Sequence, residues 1–302
     1  MTDCCDINFY FDDAQFCIDY ASCGPDVENL RKESEKFALE LANQNKKIIV
    51  SLSSGLDGQV VLHSFCAQNI PVKAAFMHLP GFNDVEYERV LTLKTKYNLD
   101  LIVKELNPDL YKNDLLLEFD KTKIPPYQLL HKKFLSLLPA DHTFIQGLDG
   151  PDFYCKDNKF YIFQTAHSFV NSRTRAFLML NRDAPIVNWE RKSRILLSIL
   201  QDEIIKSFIF AYSNIKNNGL TYSNDKEIPI IDHYDLYIKP FLYAKYWQDE
   251  LEYFPKYQGC EEIDWVIEKK WHQYRENLII MPLDELKSHL QSNSKIKRFY
   301  QR

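Results

Sequence analysis

Glycine is scarce in this chain: 8 in 302 residues, against 20 phenylalanines and 18 tyrosines. That balance argues against flexible linkers and low-complexity segments, and favours an interior packed with aromatic rings. Long apolar runs are also lacking. No window approaches the roughly 18 uninterrupted apolar residues of a membrane-crossing helix, so no membrane span is expected. There is no basic excess either. With 37 Lys and Arg against 42 Asp and Glu, the formal net charge is −5, which provides no field to gather nucleic acid. The local exception, KIKRFYQR from Lys295 to Arg302, reads as a solvated tail. Cysteine pairs at metal-ligand spacing are missing. Cys4, Cys5, Cys17, Cys23, Cys66, Cys155 and Cys260 form no C-x-x-C and have no His-x-x-x-His beside them, so a zinc site is not expected. An odd number of thiols in a chain this long suits a reducing, cytoplasmic setting. The N-terminal stretch MTDCCDINFYFDD is acidic and lacks the apolar core of a signal peptide.

What is present is alternation. Residues 7–21 (INFYFDDAQFCIDYA) read as a hairpin around Asp12-Asp13, and a helix with Pro25 or Asp26 near its first turn should follow to about Asn43. Strands are then expected at Ile48–Leu52, Val72–His78, Leu99–Leu106 and Thr143–Gln146. Helices are expected between them at Gly58–Ala67, Asp84–Tyr97 and Gln128–Leu138. Such a pattern predicts an α/β fold: a parallel sheet with helices on both faces, and ligands at the strands' C-terminal edge. After about residue 165 the pattern turns mainly helical, with helices expected at Ser168–Leu180, Trp189–Tyr212, Tyr234–Tyr253, Ile263–Asn277 and Leu283–Leu290. The expected organisation is an N-terminal hairpin extension (1–24), an α/β domain (25–165) and a helical C-terminal substrate domain (166–302).

One junction carries chemistry. The strand Ile48–Leu52 runs through Ser53-Ser54-Gly55-Leu56-Asp57-Gly58 straight into a helix. Backbone N–H groups at such a helix start, with the helix dipole, favour an anion. The hydroxyls of Ser51, Ser53 and Ser54 can donate to phosphate oxygens, and glycines allow close approach. Asp57 suits a phosphate that carries Mg²⁺, which needs an oxygen ligand. The competing reading is a helix-cap turn without a ligand.

This loop resembles the Ser-Gly-Gly-x-Asp-Ser pyrophosphate loop of the N-type ATP pyrophosphatases. It is not a Walker loop, since no Gly-Lys-Ser/Thr follows. Within that superfamily three further stretches resemble the synthetase domain of asparagine synthetases and β-lactam synthetases. They are Phe76 to Leu106, the Gln146-Gly147-Leu148-Asp149-Gly150-Pro151-Asp152 loop, and Ile228-Pro229-Ile230-Ile231-Asp232-His233. The resemblance spans roughly residues 27–250. It implies ATP and Mg²⁺ as cofactors, with Asp57 and Asp152 on the metal and Asp149 facing the nucleophile. Ser51, Ser53, Ser54, Gly55, Gly58, Gln59 and Gly147 would line the nucleotide site, and the backbone of Phe76 and Met77 would hold adenine. A lysine of the helical half, Lys239, Lys245 or Lys256, would meet the phosphates, and Lys245 is the one favoured here. The implied activity is AMP- and pyrophosphate-forming ligation of a carboxylate or amide oxygen to an amine. The small-molecule substrate is not specified by the sequence.

The chain departs from the family at Ser54, Gly58, Gln59 and Phe153, which stand where that pattern has Gly, Ser, Ser and Glu. No glutaminase domain is expected before the loop, so ammonia would come free or from a separate supplying partner. A homodimer stays open. Two alternatives stay open as well: a nucleotide-binding protein without turnover, and a nucleobase- or tRNA-modifying relative. The second of these predicts a basic face or zinc cysteines.

Overall fold

A computed structural model describes residues 7–12, 15–44, 47–147, 153–156, 159–165, 173, 176–177, 179–180, 182–217, 238–254, 278–293 and 296–300. The expected hairpin is present: β1 (Ile7–Asp12) pairs antiparallel with β2 (Gln15–Ala21). Helix α1 (Leu30–Gln44) begins four residues beyond Asp26. Asn29 sets that start, because its Oδ1 accepts the Lys32 N–H at 3.0 Å while its C=O takes the Glu33 N–H.

The chain then alternates as the pattern predicts: β3 (Ile48–Ser51), α2 (Leu56–Cys66), β4 (Lys73–His78), α3 (Asp84–Tyr97) and β5 (Asp100–Glu105). Two helices follow, α4 (Pro108–Thr122) and α5 (Pro126–Ser136), then β6 (Thr143–Gln146). Helix α4 adds to the expected elements. Proline fits its first turn, and Asn107 caps it through the Asp109 N–H. A fifth strand, β9 (Ile186–Asn188), completes a parallel sheet of order β5-β4-β3-β6-β9.

The sheet is covered on both faces, and alternation along each strand sends successive side chains to opposite layers. Ile48 and Val50 pack with Phe37, Leu41, Val61 and Phe65 of α1 and α2. Ile49 packs instead with Leu115, Phe119, Leu129 and Phe134 of α4 and α5. Ala74 and Phe76 join Leu62, Val90 and Leu93 on the first face, whereas Ala75 and Met77 face the second.

Beyond residue 152 the structure adds strands to the expected helices. β7 (Phe153–Lys156), β8 (Lys159–Thr165) and β10 (Leu278–Pro282) form one antiparallel sheet. β11 (Ile296–Tyr300) joins β2 in another. β7 and β8 are separated by only two residues, whereas the β8–β10 and β2–β11 pairings join segments far apart in sequence, so no local turn signal announces those two. The single helix expected at Trp189–Tyr212 is two, α6 (Ser193–Gln201) and α7 (Glu203–Asn217). Asp202 divides them: its backbone is extended, and its Oδ1 accepts the Ile204 N–H at 2.8 Å. The helix expected over Tyr234–Tyr253 is described as α8 (Lys239–Trp247), followed by a short 3-10 turn at Gln248–Glu250. Gln248 takes φ 42°, which ends the α-helix there. Helix α9 (Leu283–Gln291) matches its expected place. Ile263–Asn277 lies outside the described residues.

Phe144 of β6 makes edge contacts with Phe134 and Phe177 and is buried. Truncating a buried ring of this kind typically costs about 3–5 kcal/mol. Phe144→Ala should therefore lower the urea midpoint by that equivalent without changing the m-value.

Candidate active site

In the five-stranded sheet the chain steps from β3 to β4 to β5, then returns to the other side of β3 to make β6. The C-terminal edge between β3 and β6 is therefore the switch point at which open α/β sheets bind ligands. The loop from β3 to α2 leaves at that edge. Ser51 pairs with Ala75 on one side and Gln146 on the other, so its backbone is still part of the sheet.

The loop is held from within. Ser53 Oγ accepts the Gly55 N–H at 3.2 Å, and the buried Ser54 donates its N–H to Glu86 Oε1 at 3.3 Å. Gly55 is the N-cap of α2 and supplies no side-chain cap. Asp57 is thus not the cap; it stands one turn position inside the helix. Two glycines let the backbone close up. A Cβ on Gly58 would lie 3.2 Å from the Ser53 nitrogen, and one on Gly147 would lie 2.7 Å from the carbonyl carbon and oxygen of Asp57. Gly147 follows β6, so this contact joins the two strand ends at the switch point.

Asp57 is met from across the molecule. Lys239 and Tyr243, one turn apart on α8, both reach it: Lys239 Nζ lies 2.5 Å from Oδ2, and Tyr243 OH donates to Oδ1 at 2.7 Å. The Lys239 side chain is 6% exposed and that of Asp57 19%. An ion pair this enclosed has to be matched, since an unpaired buried charge costs several kcal/mol.

The segment after α8 is tied down beside the loop. Gln59, fully buried, donates Nε2 to Ser54 O at 3.1 Å and Glu252 O at 2.9 Å, while its Oε1 accepts the Glu252 N–H at 2.8 Å. Tyr97 OH donates to Glu250 O at 2.6 Å, and Arg31 makes a two-point pair with the Glu250 carboxylate. His63, whose protonated form is disfavoured chiefly by burial, also reaches Glu250 O through Nε2 at 3.0 Å.

The residues singled out from sequence divide accordingly. Ser51, Ser53, Ser54, Gly55, Asp57, Gly58 and Gly147 gather at one place. Gln59 adjoins them, but its amide is engaged inside the protein rather than turned outward. Lys245 is not at the loop. Its Nζ sits 2.8 Å from Asp202 Oδ2, where it joins α8 to the α6–α7 break, and Lys239 occupies the position expected of it. Burial opposes ionisation of Asp202, but Lys245 and Tyr246 outweigh it and hold the carboxyl below its ordinary range. Helical geometry decides between the lysines: with Lys239 on Asp57, Lys245 lies six residues on, on another face. Phe76 and Met77 are buried near the end of β4, and the Met77 carbonyl accepts Asn83 Nδ2 at 2.9 Å. Asp149, Asp152, the Ile228–His233 stretch and Lys256 lie outside the described residues. Among the described residues no group of three or more His, Cys, Asp or Glu could hold a metal.

Three contributors had no place in the sequence reading: Tyr243, Asn83 and Glu86. The last two have the Asn-x-x-Glu spacing of a capping box. Asn83 instead turns inward: its Oδ1 accepts the Leu79 N–H at 2.7 Å and its own N–H goes to Leu79 O at 3.1 Å, while Glu86 accepts from the loop at Ser54. Burial pushes the Glu86 carboxyl above its ordinary range, partly offset by the Ser54 N–H and Asn83.

No protein-family model and no curated protein sequence matches the chain. Among solved structures it is similar to the NH3-dependent NAD synthetase from Campylobacter jejuni in complex with the nitrate ion, at 15% identity and a TM-score of 0.33. That match covers 75% of this chain and 96% of the other. A likeness at that level carries no functional weight.

Two outcomes follow from this geometry. Gly147→Ala should destabilise by about 1–3 kcal/mol, because a backbone carbonyl cannot move aside as a side chain can. The measurement is the denaturant midpoint. For Glu86 the raised folded value means that its stabilising protonated state is full below the ordinary Glu range and is lost as pH rises through the raised value. Glu86→Gln should therefore gain stability relative to wild type as pH climbs from acid to neutral. Melting curves across that window that stay parallel would refute the assignment.

Proposed function

We propose that this chain is an ATP-dependent, AMP- and pyrophosphate-forming ligase that activates a carboxylate or amide oxygen and passes it to an amine. The observation that carries the reading is the meeting of Asp57 and Lys239 at the N-terminus of α2, at the switch point of a parallel sheet. A hydroxyl-rich loop, an uncapped helix start, one carboxylate and one buried lysine are the parts a pyrophosphate site needs. The residues also fit Mg²⁺ in a limited way. Asp57 supplies one carboxylate, and Mg²⁺ is commonly bound by one or two carboxylates with substrate phosphates completing the set. Bound there, the ion would neutralise charge developing on the leaving group.

The chain's own residues do the rest. The loop N–H groups and the hydroxyls of Ser51 and Ser53 would receive phosphate oxygens. Lys239, already desolvated, can exchange Asp57 for a phosphate with little reorganisation, which is what makes such a cation effective. Tyr243 can keep Asp57 oriented while Lys239 moves. Glu86 and Gln59 hold the loop's shape through Ser54. Asp149 and Asp152 remain the proposed nucleophile-facing and second metal carboxylates. The proposed acceptor is a small molecule, ammonia would be free or delivered by a partner, and the proposed setting is cytoplasmic.

A second reading, nucleotide binding without turnover, is favoured by one observation: Asp57 is already neutralised by Lys239 and Tyr243. The two readings part in one experiment. ATP with Mg²⁺ at a hundredfold excess over its dissociation constant should stabilise the chain by about 2.7 kcal/mol under both. Pyrophosphate release with a panel of carboxylic acids and ammonium should occur only under the first. Absence of any thermal shift with ATP and Mg²⁺ would sink both.

Variants at the pair test it directly. Lys239→Met should cut pyrophosphate release by about a hundredfold or more, as loss of one electrostatic partner of the transition state does. Asp57→Asn removes a countercharge from the buried Lys239 and should cost up to about 3–5 kcal/mol in stability. The double variant Asp57→Asn/Lys239→Met should recover much of that loss, as read by chemical denaturation.

A further inference from the structure

The five-stranded sheet ends on one side at β5, which pairs with β4 alone among the described residues. Its neighbour is closed in: Ala74, Ala75 and Phe76 of β4 are all buried. Along β5 the apolar middle, Leu101, Ile102 and Val103, stays half-buried, and Asp100 and Glu105 are exposed. The outer side of this strand therefore lies at the surface, where its spare backbone groups can meet another strand.

Which groups it offers follows from the bond at its end. The Leu106 N–H donates to His78 O at 2.9 Å, so Leu106, and with it Lys104, Ile102 and Asp100, turn their backbone bonds toward β4. Alternation leaves the N–H and C=O of Leu101 and Val103 facing outward. A second copy of the chain presents the same two residues. Antiparallel pairing of the strand with itself is then limited to registers centred on a residue, since outward groups must meet outward groups. Centred on Leu101, Asp100 meets Ile102. Centred on Val103, Ile102 meets Lys104. Centred on Ile102, Leu101 bonds Val103 on both sides of the two-fold axis, Ile102 meets itself, and Asp100 faces Lys104 twice.

That register is the one that sets opposite charges against each other within the strand. Both charges are placed to take part. Lys104 makes no ion pair among the described residues, and Asp100, paired with Lys73 at 3.1 Å, keeps a side chain 65% exposed. Surface pairs contribute little energy, but like charges directly opposite resist pairing, so these residues select the register.

We propose that the chain forms a two-fold homodimer by antiparallel pairing of β5 with β5 of a second copy, in the register centred on Ile102. A strand pair of this length falls short of the roughly 1,200 Å² of a standard interface, so the dimer is weak and concentration-dependent. It requires neither ATP nor turnover.

Sedimentation velocity on the full chain, from about 1 μM to about 1 mM, tests this. Wild type should shift from monomer to dimer across that range. Asp100→Lys sets lysines opposite each other twice, and Lys104→Asp does the same with carboxylates, so each variant alone should dimerise at least about tenfold more weakly. An equimolar mixture of the two restores both opposite-charge pairs and should dimerise about as well as wild type, a rescue that a purely structural role for either residue does not give. Thermal melts check that both variants fold. Should either fail, Val103→Pro removes an outward donor that β4 does not use, and should abolish the dimer. Wild type that stays monomeric throughout overturns the proposal. So does a dimer that the variants leave unchanged, or a mixture that associates no better than its two components.

Discussion

The contact between Asp57 and Lys239 ties α8 to the start of α2 at the switch point of the sheet. Asp57 sits in the first turn of a helix whose position is set by the strand before it, and Lys239 begins a helix nearly two hundred residues later. Because both charges are largely withdrawn from water, each lowers the cost of burying the other. Tyr243 takes the second carboxylate oxygen, so the pair is oriented as well as neutralised. The placement of α8 against α2 therefore also decides what the switch-point loop can bind.

That placement is reinforced by further contacts, some neutral and some between opposite charges. Gln59 bonds the backbone on both sides of Glu252, and Tyr97 and Arg31 hold Glu250. These bonds fix the segment leaving α8, while Lys245 and Tyr246 fix the helix itself to Asp202. The loop in turn is shaped by Glu86 through Ser54, and by glycines at the two points where backbone meets backbone. Preorganisation of this kind places binding groups before a ligand arrives, which lowers the reorganisation a charged ligand would otherwise demand.

Some of this was legible in the residues. β-branched runs separated by amphipathic stretches gave the central strands, and the loop's composition marked the anion-binding end of the sheet. Helix limits were less legible. Asn29, Asp202 and Gln248 each moved a boundary by capping or by an unusual backbone angle, and any of them could equally have been an interior polar residue. The pairing of β8 with β10 was not legible, because the two strands are more than a hundred residues apart.

Local sequence settled what depends on neighbours along the chain: the period of the strands, the turn at Ser53–Gly58, and the need for small residues where a helix starts at a strand end. Only the tertiary structure decided between Lys239 and Lys245. The two lie six residues apart on one helix, and which face meets Asp57 depends on how α8 packs. It likewise decided that Gln59, which the resemblance puts among the phosphate ligands, is a clamp on Glu252. A side-chain amide serves either role equally well, and burial determines which groups lie within its reach.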